Sequence, residues 1–169
     1  LHRGTEPPHA TLTPYHAFRN ARYNGPTDRV MSLNGLWRFR WLDRPGDAPA
    51  DFFLPGYPDG SWEQLPVPSN WQLHGHGVPI YLNQPYAFEP VDPPRVPEDA
   101  NPTGLYRHTF TLPEGWEGME IFLRFHGVDS AFTLWVNGTE AGYSQGSRTP
   151  AEFCITDLLQ PGQNTLAGA

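Results

Sequence analysis

Ala131-Phe132-Thr133-Leu134-Trp135-Val136-Asn137-Gly138-Thr139-Glu140-Ala141-Gly142-Tyr143 decides the fold class. An apolar run rich in β-branched and aromatic residues leads into Asn137-Gly138, and a second run leads out. Both central positions of a two-residue hairpin turn need φ > 0, which asparagine and glycine tolerate best. The stretch therefore predicts a β-hairpin. Outward from it the same grammar repeats. Upstream, Ile121, Leu123 and Phe125 recur at every second position of one strand, and Tyr106, His108, Phe110 and Leu112 mark one face of another. Further back, Trp37, Phe39 and Trp41 alternate with Arg38 and Arg40 after the turn signal Ser32-Leu33-Asn34-Gly35, predicting a strand that is apolar inside and charged outside. Downstream, Thr156 to Gln160 suits one helical turn, Pro161-Gly162 breaks it, and Asn164 to Ala169 reads as a strand that stops early.

Composition agrees. The 169 residues hold 20 Pro and 17 Gly, with 14% aromatics, which suits many short strands joined by stiff turns. The expected fold is an all-β, jelly-roll-like β-sandwich of about eight strands, of the galactose-binding-domain-like kind. Residues 1–30, polar and Pro-rich without periodicity, are read as an extended arm. Residues 31–169 are read as the sandwich, cut short at its C-terminal end. The cut is expected to leave an unpaired strand edge, open to self-association or covered by the arm. Residues 89–103 carry five prolines and predict a long stiff surface loop, since proline cannot donate to a ladder.

Several functions are disfavoured. A formal net charge of −7, with no arginine-dense stretch, argues against a nucleic-acid surface. No apolar run approaches a membrane span. All 11 basic residues are Arg, and the lone Cys154 rules out a disulfide within the chain and points to a reducing compartment. No phosphate-cradling loop or zinc pattern is present. His74-Gly75-His76 is the nearest approach to a metal pair, but its glycines suit a loop and no third ligand is in view. Asp129, Ser130 and His126 could suggest a hydrolytic triad, yet no nucleophile elbow surrounds Ser130. The composition alone thus reads as a binding module. Trp37, Trp41 and Trp135, all in alternating runs, are expected in the core rather than as sugar platforms.

Longer strings go further. Ser32-Leu33-Asn34-Gly35-Leu36-Trp37-Arg38-Phe39, Val67-Pro68-Ser69-Asn70-Trp71-Gln72-Leu73-His74-Gly75 and Pro79-Ile80-Tyr81-Leu82-Asn83 occur in that order. Asn101 to Arg107, Gly127 to Phe132, Gly142 to Arg148 and Pro150 to Phe153 follow. From about residue 7 onward the chain resembles the N-terminal sugar-binding domain of glycoside hydrolase family 2, in the form carried by its large bacterial β-galactosidases. The resemblance implies a sandwich packed against a catalytic TIM barrel of the same full-length chain. That barrel supplies two glutamates for retaining hydrolysis of terminal β-galactosides. It implies no catalytic residue here, because the glutamates, and an aspartate that binds galactose and sodium, are expected after Ala169. It implies a cytoplasmic enzyme, a homo-oligomer, and magnesium and sodium in the full-length relatives, with no cofactor or metal ligand in this segment. One site residue carries over: Asn83, matching the asparagine that reaches into the active site to bind substrate. Its amide offers both a donor and an acceptor to a sugar hydroxyl. Cys154 departs from the family's usual Asp after Glu-Phe, and Thr165 to Ala169 departs from its apolar continuation. Two rival readings are a freestanding carbohydrate-binding module and a purely structural domain.

Overall fold

The computed structural model describes residues 2–79, 92 and 94–169. Among these residues eight strands form two antiparallel sheets. In chain order they are β1 (Gly35–Leu42), β2 (Glu63–Val67), β3 (Thr103–Thr111), β4 (Phe122–Phe125), β5 (Ala131–Val136), β6 (Thr139–Gln145), β7 (Ala151–Cys154) and β8 (Gln163–Gly168). The large sheet runs β2-β1-β3-β8-β5-β6, and β4-β7 makes the small one. The β5–β6 hairpin turns at Asn137 and Gly138, with φ of 50° and 85°, as that pair predicts. A bulge after Leu134 lets Trp135 face Glu140 while Leu134 faces Gly142. One 3₁₀ turn, Thr156–Leu158, precedes β8 where a helical turn is expected.

The main core fills the space between the sheets. Trp37, Phe110, Leu134, Val136 and Leu166 meet Ile121, Leu123, Phe153 and Ile155 from the small sheet and its flanks. Apolar burial of this kind is the chief stabilising term. The outer face of the large sheet differs from the expectation of a charged, solvated face. The segment 43–62 folds across it, and Phe52 and Trp62 pack on Leu42, Leu105 and Ala167. Arg107 lies under that cover, 3% exposed. It donates to Asp59 at 2.8 Å, to the Leu54 carbonyl at 3.1 Å and to the Phe52 carbonyl. A charge survives burial only when paired and hydrogen-bonded in this way. Of the three tryptophans assigned to the core, Trp37 is buried. Trp135 is half-buried and stacks on Phe53 in the outer cluster, and Trp41 is half-buried at the end of β1.

β8 is not an edge. It pairs with β3 on one side and β5 on the other, so the open edge expected from an early stop does not arise along this strand. Asn164, fully buried, closes the turn before it. Its Oδ1 accepts from Gln160 N and Asn137 Nδ2, and its Nδ2 donates to the Gln160 and Gly162 carbonyls. The arm runs against β6 instead: Arg3 exchanges backbone hydrogen bonds with Tyr143 at 3.0 and 2.7 Å. The approach is so close that a Cβ on Gly4 would stand 2.2 Å from the Ala141 oxygen. Glu6 N bonds the Glu152 carbonyl, and Arg124 donates to Thr11. The arm also holds a helix that its sequence did not announce, α1 (Phe18–Tyr23). It buries no residue, so it leaves no apolar periodicity to read. Of the Pro-rich segment 89–103, residues 92 and 94–103 are described; Asp92 and Arg95 make a turn there.

Candidate functional site

Asn83 lies outside the described residues, but the structure shows how the segment carrying it is held at both ends. Upstream, a 3₁₀ turn, Trp71–His74, is closed by Gly75 in the left-handed region at φ 89°. His74 Nε2 lies 2.6 Å from Ser69 Oγ. His76 turns the other way, 3.1 Å from Glu63 Oε2 and edge-on to Phe39 with ring centroids 5.1 Å apart. The two histidines are thus separately engaged. Among the described residues no three His, Cys, Asp or Glu side chains gather as a metal site would need.

Downstream, Arg44 ties Asp99 at 2.8 Å, and Thr103 opens β3. The two flanks then meet. The Trp71 ring lies on Gly104, so close that a Cβ there would stand 2.4 Å from Cζ3 and 2.7 Å from Cε3. Only glycine admits that contact. Trp71 and Phe39 rings approach to 6.0 Å, and Phe39 and Tyr106 to 4.8 Å. Burial pushes the Tyr106 hydroxyl up to about 12, so it stays protonated. This aromatic clamp fixes where the chain leaves and rejoins the sheet around Asn83.

Beside the clamp, at the end of β1 beyond its pairing with β2, an open cleft of about 490 Å³ is lined by Arg40, Trp41, Ser61, Trp62, Glu63 and His76 together with Phe39. Sequence reading missed it, because three separate segments build it and no linear pattern encodes their meeting. The residues weighed as a triad do not assemble into one. Asp129 accepts from Ser147, the Ser130 carbonyl accepts from Gly146 N at 2.8 Å, and among the described residues no hydrogen bond joins His126 to Ser130. Cys154 is exposed, with Sγ 3.4 Å from Thr156 Oγ1.

Two antiparallel sheets packed face to face over one apolar core define a β-sandwich domain. The chain belongs to the family described as "Glycosyl hydrolases family 2, sugar binding domain", which its residues 30–169 match. More particularly, it is 46% identical over 160 residues to the β-galactosidase of Vibrio vulnificus (strain YJ016), covering 94% of this chain and 15% of that protein. It is 41% identical over 164 residues to the β-galactosidase of Priestia megaterium, covering 94% of this chain and 16% of that one. The chain therefore spans about a sixth of these relatives or slightly less. Among solved structures, a calcium-binding mutant of Bacteroides uniformis β-glucuronidase 2 superposes with a TM-score of 0.60 at 26% identity, covering 82% of this chain and 14% of that one. The β-glucuronidase of Bifidobacterium dentium superposes at 0.58 and 23% identity, over 80% of this chain and 19% of that one, and shares the fold.

Proposed function

We propose that the chain serves as the N-terminal sugar-binding domain of a β-galactosidase, which hydrolyses terminal non-reducing β-D-galactose residues of β-galactosides with retention of configuration. The observation that carries this is 46% identity to a β-galactosidase over 94% of this chain. The relatives are about six times longer, so the reading assigns the catalytic glutamates to a barrel in the same full-length chain. This domain contributes one substrate contact, Asn83, and support for the barrel. On this reading the full-length enzyme uses magnesium and sodium held by residues outside this segment, and no step here depends on them. On the same reading the complete enzyme is a cytoplasmic homo-oligomer. No helix among the described residues is long and apolar enough to cross a membrane.

The test is Asn83→Ala in the complete enzyme. One neutral hydrogen bond to a galactose hydroxyl is worth roughly 0.5–1.5 kcal/mol, so kcat/KM should fall about two- to tenfold. A rise in KM alone marks a ground-state contact; a fall in kcat marks one that tightens in the transition state. The melting temperature should hold. Unaltered kinetics, or a large loss of stability, would show that Asn83 serves only the loop.

A further inference from the structure

The first part of the arm is held on the sandwich by polar contacts. None of residues 2–11 is buried, and none belongs to either apolar core, so apolar burial contributes little to keeping them in place. Arg3 exchanges its two backbone hydrogen bonds with Tyr143 on β6, the last strand on its side of the large sheet. Glu6 N then donates to the Glu152 carbonyl on β7 at 2.8 Å. His9 Nε2 lies 2.8 Å from Glu152 Oε1, and Arg124 on β4 donates to Thr11 at 2.9 Å. Residues 3–11 therefore tie the edge of the large sheet to the small sheet. Between Glu6 and His9 stand Pro7 and Pro8, whose rings restrict the backbone. A change at His9 is thus carried back toward Glu6 instead of being absorbed by a loose chain.

His9 is placed as a cation. Its Nδ1 lies 2.7 Å from the Ala10 carbonyl oxygen, and its Nε2 faces the Glu152 carboxylate. Neither a carbonyl nor an ionised carboxylate can donate, so both ring nitrogens must carry hydrogen, and only the imidazolium carries two. The neutral ring leaves one lone pair against an oxygen. The charged groups facing the ring are Glu152 from β7 and, behind it, Arg124 from β4, whose Nη1 stands 3.6 Å from Glu152 Oε2. The remaining side-chain contacts of this segment do not need a proton gained or lost near neutrality. His2 Nδ1 meets Ser144 Oγ at 3.2 Å, a hydroxyl that donates or accepts as the ring requires, and Arg3 pairs with Glu140.

We propose that residues 3–11 form a pH-dependent strap across the two sheets, closed by the His9 imidazolium against Glu152 and opened when that proton leaves, which bares the β6 edge at Tyr143. The Ala10 carbonyl first, and Glu152 second, hold the His9 pKa above its ordinary 6.5. A group raised in this way contributes fully below about pH 6.5, and its contribution is lost as pH rises through the raised value. The device is independent of the catalytic role of the complete enzyme.

Relaxation of the ¹⁵N-labelled 169-residue chain at about pH 5.5 and about pH 8.5, either side of the histidine range, reads the strap at the amides of Thr5, Glu6, Ala10 and Thr11. Their order parameters should fall from about 0.85 at the lower pH to below about 0.6 at the higher. Val136 and Leu166, in the core, should stay rigid at both. The midpoint should coincide with the titration of the His9 ring and lie above 6.5, and Glu152→Gln should lower it. His9→Gln, neutral throughout, should leave the strap loose even at the lower pH; His9→Lys, charged throughout, should keep it ordered at the higher. Equal order at both pH values in the wild type, a His9 ring that titrates at or below 6.5, an ordered strap in His9→Gln, or a loose one in His9→Lys at the higher pH would each overturn the proposal.

Discussion

Gly104→Ala is the most incisive perturbation of the aromatic clamp between Trp71 and β3. The new methyl would stand 2.4 Å from Trp71 Cζ3, 2.7 Å from Cε3 and 2.8 Å from Phe39 Cε2. Ordinary contact begins near 3.4 Å, so the indole must retreat by about 1 Å against a steep repulsive wall. Overpacking of this size costs about 1–3 kcal/mol. At about 2 kcal/mol the melting temperature should fall by about 4–8 °C for a chain of this length. Trp71 also anchors the upstream flank of the segment that carries Asn83. In a complete enzyme, misplacement by about 1 Å can cost as much as a hundredfold in turnover, far beyond the effect of deleting the Asn83 amide. The assay is urea unfolding of the chain together with steady-state kinetics of the complete enzyme. A double-mutant cycle with Trp71→Leu isolates the contact. Alanine at position 104 should then cost at least about 1 kcal/mol less, with Phe39 accounting for the remainder. Equal costs with and without the indole, or unchanged kinetics in Gly104→Ala, would refute the idea that this contact sets the loop.

Asn164→Ala removes all four hydrogen bonds that close the turn before β8. Their net worth is about 1 kcal/mol each, moderated by water entering the gap, so a loss of about 2–4 kcal/mol is expected in chemical denaturation. Asn164→Asp should cost more, because it loses two donors and points a carboxylate at two carbonyls in a fully buried position. Burial holds the His108 imidazole, stacked on Trp37 with centroids 4.7 Å apart, below its ordinary 6.5. The unfolded chain then binds the proton more readily than the folded one. The resulting stability is present above about pH 6.5 and is lost as pH falls through that value. His9 shifts upward, through its bond to the Ala10 carbonyl and then Glu152, and acts in the opposite sense. The comparison is therefore wild type against His108→Gln, whose unfolding midpoint should fall less steeply between about pH 7 and 5. The 169-residue chain alone should not hydrolyse nitrophenyl β-galactoside; turnover above a buffer blank that survives repurification would contradict this.

Much of the sandwich is legible in the sequence because the pleat itself has period two. The hairpin at Asn137-Gly138 could be placed to the residue, since backbone sterics at φ > 0 leave few alternatives. What could not be read is non-local. Leu105 and Arg107 look like the solvent side of β3, because nothing in their own neighbourhood reports that residues 43–62 fold back over them. α1 was invisible for the opposite reason: with no buried face, it imposes no pattern. Asn83 was reachable only through resemblance, as a lone asparagine between prolines has no chemistry that marks it. The cleft at the end of β1 joins Arg40, Ser61, Glu63 and His76 from three segments, and a linear pattern does not encode their meeting.

The position of β8 bears on how a ribosome must make this molecule. The last of the eight strands to be synthesised lies at the centre of the large sheet, between β3 and β5. Until it emerges from the exit tunnel, β2-β1-β3 and β5-β6 are two separate ribbons with facing, unsatisfied backbone groups. The sheet cannot close incrementally as the chain grows. Its final pairing joins segments more than 50 residues apart, Tyr106 with Gly168, and such long-range closure is slow. The nascent domain therefore passes through a window in which its most adhesive edges are bare, and that window is the point at which a chaperone has most to protect.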